Sequence, residues 1–225
     1  MSEDRFVQAL ALGLDPAWRR LDPEQRCRTA EDFCGVMTAR STVTTFAYST
    51  IGLKSGVDLV LWSLAPSLEA LEEKNANALR CGMGAWMTPR HSFLGIIRPS
   101  QYVKRPTPQE QSLFAGERSR YLIVYPFTKS TDWYLLGQEE RQKVMNEHMK
   151  VGHRYQQVRQ LLAYSFGVDD MDFLVAYETD DLAAFGELVR ELRGTESRRS
   201  TVRDTPILTG IHRPIEEIMR LLGAE

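Results

Sequence analysis

Apolar and polar positions in the second half of the chain follow two distinct periods. YLIVYPF is a β-branched and aromatic run that predicts a strand. GQEERQKVMNEHMKVGHRYQQV has helical spacing and places Val144, Met145, His148 and Val151 on one side. LLAYSFG and DFLVAYE predict a hairpin around the VDDM turn, DDLAAFGELVRELR predicts an Asp-capped amphipathic helix, and TPILTGIHRP predicts a closing strand. The predicted order is strand, loop, helix, strand, strand, helix, strand.

The first half of the chain repeats this pattern with similar residues. FVQALALGLDPAWRRLDPEQR aligns with YLIVYPFTKSTDWYLLGQEER, so that Trp18 matches Trp133. GIIRP, near the end of the first half, aligns with GIHRP at the same separation. Ordered matches at a nearly constant separation indicate an internal repeat. We predict two similar subdomains, 1–104 and 118–225, joined by a linker at 105–117 that is rich in Pro and polar residues.

The order of elements in each half is that of a ferredoxin-like unit. The predicted fold class is therefore α+β, with tandem ferredoxin-like repeats. Two such repeats could pair their sheets into one dimeric-type α+β barrel. The helices would cover its outside and leave a cavity between sheet and helix.

Composition narrows the class of protein without identifying it. Of 225 residues, 43% are hydrophobic and 26% are charged, which is typical of a globular protein with a real core. The net charge of −2 and the scattered basic residues argue against a nucleic-acid partner. No apolar run approaches the length of a membrane span. The acidic N-terminus is unlike a secretory signal, and three cysteines at unpaired spacings indicate reduced thiols, so we expect a cytoplasmic protein.

Among the four histidines, His148 is the strongest candidate metal ligand. It shares the apolar side of a predicted helix, whereas the matching position of the first repeat is Phe33. A neutral imidazole in a dry pocket suits an iron ligand, although a hydrogen-bonded core histidine is the commoner role for such a residue. His153 lies about 140° further round the helix, so the two cannot bind one metal from one side.

Tyr125 and Lys129 form a second candidate pair, because they place a phenol and an ammonium close together near a strand end. A Lys donates hydrogen bonds to carboxylates, and a phenol donates a hydrogen bond or an electron. A half-buried core Tyr and an exposed loop Lys explain the spacing equally well. The sequence has no P-loop, GxGxxG or GxSxG motif, so nucleotide-dependent and serine-hydrolase chemistry are unsupported.

YPFTKSTDWYLLGQEERQKVMNEHMKVGHRYQQV, followed by YSFGVDDMDFLVAYETDD, resembles the C-terminal domain of the chlorite dismutase and coproheme decarboxylase superfamily. The resemblance implies a tandem ferredoxin-like barrel, a ring-shaped homo-oligomer that is usually pentameric, and an iron porphyrin in the C-terminal domain. By the same resemblance, His148 is the iron ligand and Trp133 lies beside the porphyrin. Glu196 corresponds to an acidic residue that accepts a hydrogen bond from the ligating imidazole in some members.

The residues on the other side of the porphyrin separate the activities of this superfamily. Chlorite dismutases have an arginine where this chain has Gln160, and a neutral amide does not supply the charge that holds chlorite. One bacterial branch of decarboxylases resembles this chain in its distal glutamine and in the spacing of Tyr125 and Lys129. There the tyrosine is oxidised and takes hydrogen from a propionate that the lysine positions. Thr205 stands where such enzymes have a propionate-binding serine.

Three functions follow from the resemblance. The first is a peroxide-dependent coproheme decarboxylase of haem biosynthesis. The second is a haem-dependent oxidoreductase that acts as a weak peroxidase or decomposes chlorite. The third is a haem carrier or sensor without catalysis.

Overall fold

The computed structural model describes residues 5–102 and 117–224. Within them the chain forms two compact units. One comprises the described parts of 1–96 and 209–225, and the other comprises the described part of 97–208. Helices and antiparallel strands alternate in both, so the predicted α+β class is confirmed. All of the predicted linker except Glu117 lies outside the described residues.

The described residues contain nine strands and six α-helices. The strands are β1 (Arg5–Leu14), β2 (Thr44–Lys54), β3 (Val57–Ala65), β4 (Met87–Ile97), β5 (Tyr121–Lys129), β6 (Arg159–Tyr164), β7 (Phe173–Thr179), β8 (Thr201–Arg203) and β9 (Leu208–His212). The α-helices are α1 (Pro23–Thr38), α2 (Leu68–Arg80), α3 (Thr131–Leu135), α4 (Gln138–Gly152), α5 (Leu182–Leu192) and α6 (Ile215–Leu222). Three short 3-10 helices cover Pro16–Arg20, Gly82–Trp86 and Glu196–Ser200.

The first unit is a sheet in the order β4-β1-β3-β2-β9 with helices packed on it. Asp22 caps α1 by accepting a hydrogen bond from the Gln25 N–H at 2.9 Å, and Pro23 follows at the first helical position. The core includes Trp18 and Phe33, which are fully buried. Residues of α6 complete this core, and Ile218 among them is fully buried.

The second unit carries the candidate site residues on the sheet β6-β7-β5-β8 and the helices beside it. β5 and β6 both pair antiparallel with β7. Asp181 caps α5 through a 3.0 Å hydrogen bond from the Ala184 N–H, as the sequence predicts. Gly137 starts α4, where its N–H donates to the Glu140 carboxylate at 3.0 Å.

Sequence reasoning missed four elements in the second half of the chain. The short helix α3, the 3-10 helix at Glu196–Ser200 and the three-residue β8 are too short to show a period. Helix α6 was missed although its buried residues have the i, i+3, i+4, i+7 spacing of an amphipathic helix: Ile215, Ile218, Met219 and Leu222. Residues 209–225 belong to the first compact unit by their contacts, whereas the repeat places them in the second half. No helix among the described residues is long and apolar enough to cross a membrane.

Candidate functional site

Tyr125 and Gln160 lie on the same face of the sheet in the second unit, on the two strands that flank β7. Directly opposed residues of an antiparallel pair share a face. Val175 of β7 is paired with Tyr125 of β5, and Tyr177 of β7 is paired with Gln160 of β6. Val175 and Tyr177 are two residues apart, so all four side chains lie on one face. The Tyr125 and Tyr177 rings stack with their centroids 6.2 Å apart. Burial, followed by the Tyr177 phenol, raises the pKa of Tyr125 well above its ordinary value, so Tyr125 is protonated at neutral pH.

This face is largely aromatic. Buried and partly buried side chains form one cluster on it and on the helices beside it: Tyr121, Ile123, Tyr125, Phe127, Val151, Tyr155, Val158, Tyr164, Phe173, Val175, Tyr177, Phe185, Leu188 and Leu192. An apolar surface with a few polar groups at defined places is typical of a small-molecule site. The phenol of Tyr125 and the amide of Gln160 are such groups.

Arg159 lies on the opposite face, as its position next to Gln160 on a strand predicts. Its guanidinium donates to the Glu178 carboxylate at 2.9 Å, to the Ser119 hydroxyl at 2.9 Å and to the Glu117 carbonyl at 3.1 Å. Glu178 is fully buried and lies 3.6 Å from the buried guanidinium of Arg118. The guanidinium of Arg159 is therefore held away from the face that carries Tyr125.

Lys129 ends β5 in a buried corner next to α3. Its ammonium donates to the Ser197 carbonyl at 2.7 Å and to the Ser197 hydroxyl at 2.9 Å. It also lies 4.5 Å from the centroid of the Trp133 ring, in a cation–π contact. Trp133 is itself buried, so both residues are fixed by packing. Burial, followed by the charge of Arg198, lowers the pKa of Lys129 to about 8.

His148 lies on α4, a helix of fifteen residues that has no fully buried residue. Its half-buried apolar side chains leave surface that the described protein does not cover, although Val151 near its end packs on the aromatic cluster. The Nδ1 atom of His148 is buried and has no hydrogen-bond partner among the described residues. Burial, followed by the charge of Lys129, lowers the pKa of His148 to about 4. The imidazole is therefore neutral at pH 7, as a metal ligand must be.

Two candidate residues lie apart from this cluster. The Glu196 side chain is 56% exposed and pairs with Arg199 at 3.2 Å, so the structure does not bring its carboxylate to His148. Ser197, the next residue, is buried and contacts Lys129 instead. Thr205 is exposed on the loop before β9, and its carbonyl accepts a hydrogen bond from Arg203 at 3.0 Å.

Sequence reasoning missed Asp172, which organises the corner around Lys129. One carboxylate oxygen of Asp172 accepts hydrogen bonds from the Lys129 N–H and the Tyr134 hydroxyl, both at 2.7 Å. The acidic VDDMD turn was the available signal, although the sequence alone explains it as a hairpin turn. Ser197 and Tyr177 gave no sequence signal, because their roles depend on which residues lie opposite them.

The arrangement suits a metal that brings most of its own ligands. Among the described residues, no group of three or more His, Cys, Asp and Glu side chains could hold a bare ion. One neutral imidazole with a buried, unpartnered nitrogen fits a metal whose other positions are filled by a macrocycle. The fold and site thus define an α+β protein with a single-histidine site next to an aromatic sheet face.

Comparison with known proteins agrees with this class. The chlorite dismutase family matches residues 26–213. A coproheme decarboxylase from Mycolicibacterium smegmatis is 32% identical over 177 residues, which cover 78% of this chain and 75% of that protein. An arginine-to-lysine mutant of the chlorite dismutase from Candidatus Nitrospira defluvii superposes with a TM-score of 0.90 at 27% identity, covering 100% of this chain and 97% of the other. The complex of that enzyme with imidazole gives 0.88 over 98% and 95% of the two chains, also at 27% identity. This chain belongs to the chlorite dismutase family.

Proposed function

We propose that this chain is a haem-dependent oxidoreductase, specifically a peroxide-dependent coproheme decarboxylase. The observation that carries the proposal is the neutral His148, whose Nδ1 is buried without a partner among the described residues. The chain belongs to a family that includes a coproheme decarboxylase at 32% identity. An iron porphyrin, when bound, supplies the redox-active metal.

His148 is the proposed iron ligand, held on α4 beside the aromatic sheet face. The half-buried apolar side of α4 and the aromatic cluster supply the two surfaces that a flat, apolar ring requires. Trp133 is the proposed neighbour of the porphyrin, because its buried ring is fixed against Lys129 at the end of the strand that carries Tyr125. These residues orient the ring and exclude water from it.

Tyr125 is the proposed hydrogen acceptor once it has been oxidised. Its raised pKa keeps the phenol protonated at rest, so oxidation removes a proton together with an electron. Lys129 uses two of the three N–H bonds of its ammonium on Ser197, which leaves one for a substrate carboxylate. Gln160 offers an amide on the same face as Tyr125 and brings no charge.

The reaction balances with one peroxide for each propionate. The propionate loses its carboxyl group as carbon dioxide and one hydrogen from the carbon that becomes part of the vinyl group. The propionate carboxylate releases two electrons and one proton, which together with one proton from solvent reduce hydrogen peroxide to two water molecules. Coproheme is the substrate, and two of its four propionates react in turn.

The test is to titrate the full chain with ferric coproheme and with haem b, add peroxide, and analyse the porphyrins by mass spectrometry. We expect a Soret shift with coproheme and stepwise loss of two carboxyl groups. Binding without carboxyl loss would overturn the decarboxylase and leave a haem b peroxidase, a chlorite-decomposing enzyme or a haem carrier. No Soret shift with either porphyrin would overturn haem binding altogether.

Two variants with matched controls separate binding from chemistry. His148→Ala should abolish the Soret shift, whereas His153→Ala, an exposed histidine just beyond the same helix, should keep it. Tyr125→Phe should bind coproheme but release no carbon dioxide. Tyr155→Phe is its control, because it removes a hydroxyl that donates to the Glu191 carboxylate at 2.9 Å and has no proposed part in the chemistry.

The finer features of the assembly are part of the same proposal. We propose tandem ferredoxin-like repeats at 1–104 and 118–225, a homo-oligomeric ring of five subunits and a cytoplasmic location. Thr205 is a propionate contact only if the loop before β9 turns inward, because its side chain is exposed. Light scattering on the purified protein tests the subunit number.

A further inference from the structure

Tyr177 is a second phenol on the sheet face that carries Tyr125. The two residues are diagonal neighbours on adjacent antiparallel strands, an arrangement in which aromatic side chains can touch. Their rings are stacked, with centroids 6.2 Å apart and planes 28° from parallel. The Tyr177 ring also packs against Phe185 of α5, with centroids 5.2 Å apart. Tyr177 is therefore fixed by packing next to the phenol that the proposed reaction oxidises.

The hydroxyl of Tyr177 has no carboxylate partner in the described part of the chain. Tyr134 differs, because its hydroxyl donates to the Asp172 carboxylate at 2.7 Å. Tyr177 is 6% exposed, and burial raises its pKa, while interaction with Tyr125 opposes the rise. Loss of an electron alone, or of a proton alone, would leave a charge in an apolar cluster, which is costly. Loss of both together, as a hydrogen atom given to a neighbouring oxygen, leaves Tyr177 neutral.

We propose that Tyr177 is a second redox-active residue, which exchanges a hydrogen atom with oxidised Tyr125. This inference rests on the proposed function, which supplies peroxide as the oxidant. In the exchange the O–H bond of Tyr177 breaks and an O–H bond forms on Tyr125, so one proton and one electron move together. Tyr125 returns to a neutral phenol, and Tyr177 becomes a neutral phenoxyl. The reverse transfer restores oxidised Tyr125 when a propionate is in place.

The exchange places the oxidising equivalent on the less exposed of the two phenols. Tyr177 is buried, whereas Tyr125 is only half-buried on the face proposed to hold the substrate. The stacked pair thus keeps one oxidising equivalent away from solvent between the two carboxyl losses.

The first test is freeze-quench electron paramagnetic resonance of the full chain loaded with haem b and mixed with hydrogen peroxide. Haem b lacks the two propionates that react, so the oxidised tyrosines accumulate. The wild type should give two phenoxyl signals, because their splitting depends on the angle between each ring and its Cβ hydrogens. Tyr177→Phe should keep one signal, and Tyr125→Phe should lose both, because Tyr177 then has no phenoxyl to receive its hydrogen. Tyr134→Phe is the control and should keep both.

A second measurement shows whether the exchange is connected to the reaction. 3-Aminotyrosine has a weaker O–H bond than tyrosine and therefore retains an oxidising equivalent. In place of Tyr177 it should slow carboxyl loss from coproheme about tenfold or more, whereas in place of Tyr134 it should leave the rate unchanged. Circular dichroism and the Soret band show that each protein is folded and loaded.

Two results would overturn the exchange. One is a wild-type radical signal that Tyr177→Phe leaves unchanged, and the other is a Tyr177 signal that persists in Tyr125→Phe. Equal rates in the two 3-aminotyrosine proteins would also overturn it. Carboxyl loss in the wild type together with any of these results would leave the proposed function standing, whereas no Soret band or no carboxyl loss in the wild type would overturn that function itself.

Discussion

Replacing Glu178 by Gln removes a buried negative charge that pairs with Arg118 and Arg159 on the sheet face opposite Tyr125. Glu178 has an exposed side-chain fraction of 0%, against 2% for Arg118 and 21% for Arg159. Its carboxylate lies 2.9 Å from the nearest nitrogen of Arg159 and 3.6 Å from that of Arg118. Gln keeps the shape and one hydrogen-bond acceptor, so the change is electrostatic.

The expected loss is large because Arg118 stays buried, and Arg159 mostly buried, after the Glu178 charge is removed. Breaking a buried ion pair by neutralising one partner costs about 3–5 kcal/mol. For a chain of this size, each kcal/mol lowers Tm by roughly 2–4 °C, so Glu178→Gln should melt about 6–20 °C below the wild type. The residual hydrogen bond to Arg159 favours the lower end of this range.

The assay is urea unfolding followed by circular dichroism, with thermal melting alongside. Glu187→Gln is the matched control, because Glu187 pairs with Arg190 on the surface, where both side chains are more than half exposed. A surface pair contributes about 0–1 kcal/mol, so the control should unfold almost like the wild type. If the two variants lose the same free energy within about 1 kcal/mol, the reasoning about the buried charge is refuted.

Three further predictions concern other parts of the chain. Burial, followed by two nearby carboxylates, raises the pKa of Cys34 to about 11. In a variant that keeps only this cysteine, iodoacetamide should therefore react slowly at pH 8 and about tenfold faster per pH unit above it, whereas a plateau below pH 9 would contradict the assignment. Ile218→Ala empties a fully buried position of α6 and should cost about 2–5 kcal/mol in urea unfolding, against little for Leu221→Ala, which is 53% exposed. Asp172→Ala leaves two donors without their acceptor and should lower stability by roughly 2–4 kcal/mol, with Tyr134→Phe losing about 1 kcal/mol because only one of those bonds is removed; equal losses would contradict the shared acceptor.

Regular elements near the candidate site could be predicted because the spacing of their apolar residues is visible in the local sequence. The strand at Tyr121–Lys129, the helix that carries His148 and the Asp181-capped helix all appear where the apolar pattern placed them. Glu196 shows where such reasoning ends. A single short 3-10 turn decides whether its carboxylate or the Ser197 side chain points inward, and no period extends through five residues.

A local pattern also does not show which strands are neighbours in the sheet, and therefore which residues face each other. Tyr177 stacks on Tyr125 because β7 lies between β5 and β6, and a strand order is a long-range property. The register of β6 against β7 also decides which face of the sheet Arg159 and Gln160 each occupy. Successive residues of a strand face opposite sides, so only one of the two reaches the aromatic cluster.

The contacts of Arg159 identify which of these neighbours faces the proposed site. A slip of one residue would place Arg159 opposite Tyr177 and give the site a cation suited to a small anion such as chlorite. It would also take the guanidinium from Glu178, whose carboxylate is fully buried, and leave that charge without one of its two arginines. The register with Gln160 on the aromatic face is therefore the stable one. A neutral amide on the face that carries Tyr125 fits the proposed decarboxylation, in which the phenol, and not a bound anion, takes part in the chemistry.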